Sequence, residues 1–477
     1  QFYDKAVMSE RFPEVVIQNV SAPVARAMKD NILADPYMRS IYDAEQMEVQ
    51  CSGAFMNAYS NYPLLAGQQT NLYKCVLENT FTQISNSGFI GILTPEGIYD
   101  DPNGQPLRRE VYKRLRYHFQ YVNTLKLFSE ILHWVVYGTQ IFGSKNEHID
   151  FLSISNLFHP NTIDGCLIHD GHGKCFGLKN ENGEWNVTPH KNRLLHYTKD
   201  ELLVLANTFE NSDEYETARL VKIHDNRIIE ILRKISKFPT HVNDYEHIIH
   251  NGHHETGAVD DGIIKPENKI PDVELYEEIY KGPQISIASP LSKTPKSICN
   301  HPSDYETIDL ETIDDAFVSR TNFTPKIRLN DYCNLIKGFA IGKDSNGDIV
   351  YDNWLDHYKV TMRCMLSQPQ ERTLICAVLP RKTAHIHAVV STSFVSGYNC
   401  VDMAGLCASL PLDFYIKTIG IGQIAKVMLK SFPLGTPDKY RPALFARTLR
   451  LNCVTNRYAD LWFEVWNPAY KNEEWSI

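Results

Sequence analysis

Several things are missing from these 477 residues. No apolar stretch approaches the ~20 residues that span a bilayer, so membrane insertion through a helix is not expected. Nothing near Gln1 reads as a secretory signal, because no basic start is followed by an apolar run. The 11 cysteines are odd in number and scattered, with no Cys-x-x-Cys pair. That argues against a disulfide framework or zinc ribbon and for reduced thiols in a cytoplasmic protein. Positive charge is scarce: 48 Lys and Arg stand against 57 Asp and Glu, a net charge of −9 at pH 7. A nucleic-acid binder usually carries a basic footprint, so a DNA-binding role would require locally segregated charge. There is no internal repeat or low-complexity tract. No P-loop, Ser/His/Asp triad or Asp…Glu-x-Lys nuclease pattern can be argued. The first residue is Gln rather than Met, which leads us to expect processing or a sequence that starts inside a longer protein.

What is present is ordinary globular material, 43% hydrophobic and 22% charged, enough for two to four domains. Residues 12–50 read as largely helical, with a break at Pro36 and Val24, Ala27, Met28 and Ile32 on one apolar face. Residues 69–87 read as a further helix. The run Phe89 to Pro95 reads as a buried parallel strand, 105–117 as an amphipathic helix, and 119–128 and 133–142 as two strands that could form a hairpin. This order fits the second half of a doubly wound α/β sheet. Beyond residue 145 short strands and glycine turns alternate, with a helix expected at about 214–236 and polar loop over 237–275. From about 276 the chain is strand-rich again, with helices near 403–417 and 422–430. Soft boundaries therefore fall near 150 and 280. One basic cluster, Arg108, Arg109, Lys113, Arg114 and Arg116, reads equally as a DNA-facing patch or a solvated helix face.

One ordered set of segments carries a resemblance. Gln69-Thr70-Asn71-Leu72-Tyr73-Lys74-Cys75-Val76-Leu77-Glu78 is followed by Gly88-Phe89-Ile90-Gly91-Ile92-Leu93-Thr94-Pro95-Glu96-Gly97-Ile98. Then come Leu107-Arg108-Arg109 and Asn123-Thr124-Leu125-Lys126-Leu127-Phe128-Ser129-Glu130. This string, over about 57–143, resembles the region after the catalytic motif in gamma-class adenine-N6 DNA methyltransferases. It is most similar to the large type IIG-like restriction–modification methylases and the methylases of BREX and DISARM defence islands. Later segments resemble the same enzymes, among them Ser319-Arg320-Thr321-Asn322-Phe323, Glu371-Arg372-Thr373-Leu374-Ile375, Ser409-Leu410-Pro411-Leu412-Asp413 and Arg447-Thr448-Leu449-Arg450.

The resemblance implies the second half of a Rossmann-like methyltransferase sheet in 1–150, a linking α+β region in 151–280 and a target-recognition region in 281–477. It implies S-adenosylmethionine as cofactor of the complete enzyme and double-stranded DNA as partner, with a nuclease or other defence subunits as further partners. Such enzymes flip the target adenine and stack it on aromatic faces. An Asn-Pro-Pro-Tyr/Phe motif accepts hydrogen bonds from the amino group. Phe128 matches the family aromatic that stacks on the flipped base. Asn71 and Tyr73 match a cofactor-contacting segment. Val76 stands where an aromatic commonly packs near the cofactor adenine. The glycine-rich turn and the Asn-Pro-Pro-Tyr motif are not found in their proper context. Asn467-Pro468-Ala469-Tyr470 resembles the latter but lacks the strands that should follow. Gly420-Ile421-Gly422 resembles half a glycine loop and reads as a turn. The chain alone is thus expected to be inactive, a fragment needing the other methyltransferase half. The competing reading is a non-catalytic DNA-binding or scaffold subunit of a defence complex.

For recognition, Arg320, Asn322, Arg372, Arg381, Lys417 and Arg447 are candidates, since Arg suits guanine edges, Asn suits adenine, and both Arg and Lys suit phosphate. Each could also be a salt-bridged structural residue. His241, His247, His250, His253 and His254 crowd one segment without a standard zinc spacing and read as a solvated loop. His385 and His387 would share one strand face. No metal is expected.

Overall fold

The computed structural model describes residues 4–18, 22–69, 71–210, 212–367, 370–420 and 422–474. The chain divides into two compact units, 1–206 with 212–229, and 207–211 with 230–477. That division falls between the boundaries expected near 150 and 280.

The first unit begins with helices α1 (Asp4–Ser9), α2 (Glu14–Ile17), α3 (Ala22–Ile32) and α4 (Pro36–Asn57). The expected break lies at Pro36, where Asp35 caps α4 by accepting the Tyr37 amide at 3.2 Å. Proline suits this first position because its missing N–H would have no partner there. Met8, Val15, Ile32 and Met38 are buried together with Met28 against them. Val24, expected on the same face, is exposed. Next come α5 (Leu72–Gln83), β1 (Ile90–Pro95), α6 (Gly97–Asp100), α7 (Gln105–Arg114), β2 (Leu115–Val122), β3 (Val136–Phe142), β4 (Phe151–Leu157), α8 (Asn161–Ile168) and β5 (Leu195–Tyr197).

These strands form one mixed sheet in the order β1-β3-β2-β4-β5. β1 and β2 both pair antiparallel with β3, so they run the same way with a reversed strand between them. β2 pairs parallel with β4, and β4 antiparallel with β5. β1 is therefore an antiparallel edge strand, not the buried parallel strand expected from its apolar run. Its residues alternate in burial and Leu93 is half exposed. The expected hairpin is present as β2–β3. Tyr121, Tyr137, Ile154, Leu157 and Cys166 form a core on this sheet.

Of the helix expected at 214–236 only the last part forms, as α10 (Arg227–Ile235), after a short 3-10 turn at Tyr215–Thr217; a separate helix, α9 (Lys199–Glu210), precedes it, and the division between the units falls within α9 and α10.

The second unit contains β6 (His247–His250), α11 (Glu255–Asp260), β7 (Ile264–Lys269), β8 (Glu278–Tyr280), β9 (Lys293–Pro295), β10 (Tyr305–Thr307), β11 (Thr321–Pro325) and α12 (Leu329–Cys333). It continues with β12 (Lys337–Lys343), β13 (Ile349–Asn353), β14 (Lys359–Arg363), β15 (Cys376–Leu379), β16 (Thr383–His385) and β17 (Val389–Phe394). The helices α13 (Gly397–Ala408), α14 (Leu410–Ile419), α15 (Lys426–Lys430), α16 (Arg441–Asn452) and α17 (Ala459–Glu464) end it. Segment 237–275 is thus more ordered than the loop expected there. A four-stranded antiparallel sheet, β15-β14-β17-β6, is accompanied by two-stranded pairs, of which β16–β8 is parallel. Ile264, Ile279, Phe323, Tyr332, Trp354 and Ile386 lie at the centre of its core. The whole is a mixture of α and β elements. No helix among the described residues is long and apolar enough to cross a membrane.

Candidate functional site

β2 ends at Val122 and a short 3-10 turn follows, so Phe128 lies in the loop to β3, not at the end of a strand as expected. Its ring meets Tyr137 edge-on, centroids 5.1 Å apart, and Tyr137 in turn stacks on Tyr121 at 5.3 Å. Phe128 keeps 39% of its surface exposed, too much for a core phenylalanine. Leu127, Ile131 and Trp134 of the same loop are also exposed.

Asn71, at the start of α5, and Tyr73, in its first turn, line a cavity of about 960 Å³ together with Glu48, Ser52, Met56, Lys74, Asp100 and Asp101. Tyr73 is half buried at this cavity. Burial, then the nearby Asp100, Asp101 and Glu96 carboxylates, pushes its phenol up to about 12, so it remains a hydrogen-bond donor at neutral pH. Burial also raises the carboxyl of Asp100. Lys74 is tied to Asp101 at 2.5 Å and to Gln68 at 3.1 Å. Val76 is exposed and does not line this cavity.

Beside it, at the carboxyl end of β1, Glu96 accepts from His118 Nε2 at 3.0 Å, and His118 Nδ1 meets Ser153 Oγ at 2.9 Å. The carboxylate lies over Gly138, where a Cβ would sit 2.0 Å from it. Ser153 and His118 are both buried, so this chain of groups braces the strand ends rather than presenting a nucleophile. Sequence spacing gave no sign of it, since its members come from three strands and a turn.

The six recognition candidates are mostly occupied. Asn322 donates to Tyr305 Oη at 2.7 Å and accepts from Asn268 at 3.2 Å. Arg372 bonds the Ala408 carbonyl at 2.7 Å and pairs with Asp413 at 3.5 Å. Arg381 pairs with Asp460 at 3.2 Å and lies over the Tyr358 ring. Lys417 donates to the carbonyls of Gln370 and Glu371. Arg447 pairs with Glu473 at 3.3 Å while staying half exposed. Only Arg320 has a guanidinium without a partner among the described residues; its backbone is held by Thr294 and Gln284.

The basic cluster resolves to structure. Arg108 is buried on the carbonyls of Thr217 and Asp101. Arg109 and Lys113 pair with Glu216, Arg114 with Glu110, and Arg116 with Asn146 and the Ser144 carbonyl. Asn467 caps a short 3-10 turn and Tyr470 is buried on the Val465 carbonyl, as a non-catalytic segment would be. Gly420 ends α14 with φ 72°; Ile421 of the same motif lies outside the described residues. The histidine segment is not a solvated loop throughout: His250 faces Trp354 and His253 is buried on Tyr332. His385 and His387 do not share a strand face, because β16 ends at His385, which is buried while His387 is exposed.

No family model matches the chain, and no curated protein matches it. Among solved structures it is similar to the one described as "Characterization and crystal structure of the type IIG restriction endonuclease BpuSI", at 12% identity and a TM-score of 0.29. The match covers 92% of this chain and 50% of that one, so the chain spans about half the length of that structure. At this identity and TM-score the likeness assigns neither fold nor activity.

Proposed function

We propose that this chain supplies the second half of a Rossmann-like catalytic sheet, and a DNA-recognition region, to an adenine-N6 DNA methyltransferase of restriction–modification or phage-defence type. The observation that carries the reading is Phe128: an aromatic residue on a braced loop beside the sheet, set edge-to-face with Tyr137 yet 39% exposed. That is what a flipped base needs, since it leaves its stacking neighbours and requires a new π face. Support comes from the ordered motifs over 57–143 and from β1 and β2 running the same way with reversed β3 between them.

The cavity at Asn71 and Tyr73 has the room and the donor set for a nucleoside-like ligand. A protonated phenol and an amide can bond ribose hydroxyls, and the carboxylates of Glu48 and Asp100 suit a cation. Asn71 and Tyr73 would hold S-adenosylmethionine there. That cofactor, when bound, supplies the methyl group. Phe128 would hold the adenine ring in plane and keep water from its face. The hydrogen bonds to the amino group fall to an Asn-Pro-Pro-Tyr motif outside this sequence.

The test is labelled-methyl incorporation into unmethylated phage DNA, followed by nucleoside analysis. The full-length enzyme should yield N6-methyladenine and this chain alone none, because orientation of the amino group is lost. Incorporation by this chain alone, or methylcytosine from the full-length protein, would refute the reading.

A further inference from the structure

Asn123 is fully buried at the mouth of the β2–β3 loop, and every polar atom it has is used to close that loop. Its backbone N–H donates to the Val135 carbonyl at 3.0 Å, and its carbonyl accepts from the Lys126 amide at 2.8 Å. Its side-chain oxygen accepts from the Phe128 amide at 3.1 Å. Its side-chain NH₂ donates to the carbonyls of Phe128 and Ile131 at 2.8 and 2.9 Å. One side chain thus grips Phe128 at both its N–H and its C=O, while Lys126 takes up the left-handed turn at φ 51° that brings the chain round. A residue exposed on a loop is ordinarily mobile; here the backbone of the exposed aromatic is fixed from a buried anchor.

We infer that Asn123 is a positioning residue for the target base, acting through Phe128: it holds the ring at the height and angle the base must meet. This rests on the base-stacking reading of Phe128. Only an amide satisfies the arrangement, because the oxygen must accept while the nitrogen donates twice. Aspartate has the same shape but no donor, and would set a carboxylate against two carbonyls.

Two measurements test it. In this chain, Asn123→Ala should speed tryptic cleavage after Lys126 by roughly fivefold or more, with cleavage elsewhere unchanged, as a local opening would. An unchanged rate at Lys126 overturns the proposal. In the full-length enzyme, Asn123→Asp should slow methyl transfer about tenfold without changing the KM for S-adenosylmethionine. In a Phe128→Ala background the same change should cost less than about twofold, because the two residues act as one unit. An equal loss in both backgrounds overturns the positioning role. A Phe128→Ala enzyme that methylates at the parental rate defeats the stacking reading instead, and the proteolysis arm still decides whether Asn123 holds the loop.

Discussion

At Phe128 a packing role and a binding role predict different consequences of the same substitution. Truncating a fully buried phenylalanine costs ~3–5 kcal/mol, but this one is 39% exposed and is set edge-to-face with Tyr137. Phe128→Ala should therefore lower the melting temperature only slightly. If Phe128 stacks on a flipped base as proposed, a contribution of ~1–3 kcal/mol at about 1.36 kcal/mol per tenfold means that Phe128→Ala should slow methylation by the proposed full-length enzyme by roughly one to two orders of magnitude. Phe128→Tyr or Trp should retain more activity. A large drop in melting temperature, or an unchanged rate, would show that the ring only packs. Arg372 predicts the converse. Its guanidinium neutralises the buried Asp413, whose other oxygen accepts the amides of Thr373 and Leu374 at 2.8 and 2.6 Å. Arg372→Ala should cost ~3 kcal/mol or more through the unpaired carboxylate, read by thermal unfolding, and leave the methylated sequence unchanged. A relaxed sequence preference in a stable variant would return Arg372 to the DNA interface. The resemblance singled out Phe128 without needing the fold, but put it at a strand end, whereas β2 stops at Val122 and Phe128 lies in the loop that follows. It could not separate Arg320 from Arg372, because the carboxylate that occupies Arg372 lies some forty positions away.

Among the elements of the second unit, β6, β14, β16 and β17 converge on a set of titratable groups around Trp354. His250 lies 4.9 Å from its ring and His385 lies 5.7 Å away. Lys359 Nζ sits 4.5 Å above the ring while donating to the carbonyls of Leu355 and His357. His385 also meets Ser391 at 2.8 Å, and His253 meets Tyr332 at 3.0 Å. Gly252 is what allows this closeness: at φ +71° a Cβ there would lie 2.1 Å from the His385 carbonyl oxygen. Burial first, then the neighbouring cations, depresses His250 to about 4 and His385 to about 3; burial alone brings His253 to about 4. An unfolded histidine titrates near 6.5, so between roughly pH 6.5 and 4 the unfolded state binds more protons than the folded one. Stability should then fall as pH drops below about 6.5, and it is fully present above that value. Urea unfolding followed by Trp fluorescence should give a midpoint that falls from pH 7 to pH 5, and His385→Phe should flatten the fall. A flat profile in the parent would show that these imidazoles are not neutral inside. In the sequence His250 and His253 looked like a polar loop, because the partners that bury them, Trp354 and Tyr332, lie roughly 80 to 100 residues away. The same limit applies to β1: an apolar run announces a strand, but not the antiparallel neighbour or the sheet edge. The order of α5, β1, α7, β2 and β3 was legible from periodicity and turn residues, because those signals are local.

On the scale of the whole molecule, charge limits what kind of DNA contact the proposed function could use. The net charge is −9, and five of the six recognition candidates spend their polar groups on neighbouring carbonyls, carboxylates or side chains. A guanidinium that leaves a carboxylate for a phosphate strands the carboxylate, so such contacts gain little. Each phosphate neutralised contributes about −0.9 to the slope of log K against log salt. With Arg320 alone unpaired among the six, this chain should bind a non-specific duplex weakly, with a slope no steeper than about −2. Arg320→Glu should remove about one unit of that slope, whereas Lys417→Glu and Arg447→Glu should leave it unchanged while lowering the melting temperature. Fluorescence anisotropy of a labelled 30-bp duplex (about three helical turns at 10–10.5 bp per turn) between 50 and 200 mM salt, the range over which such affinities change most measurably, gives all four slopes. A parental slope near −6 would mean that a phosphate-binding surface exists elsewhere on the chain. A Lys417→Glu slope as reduced as that of Arg320→Glu would mean that the Gln370 and Glu371 carbonyls release the lysine when DNA arrives.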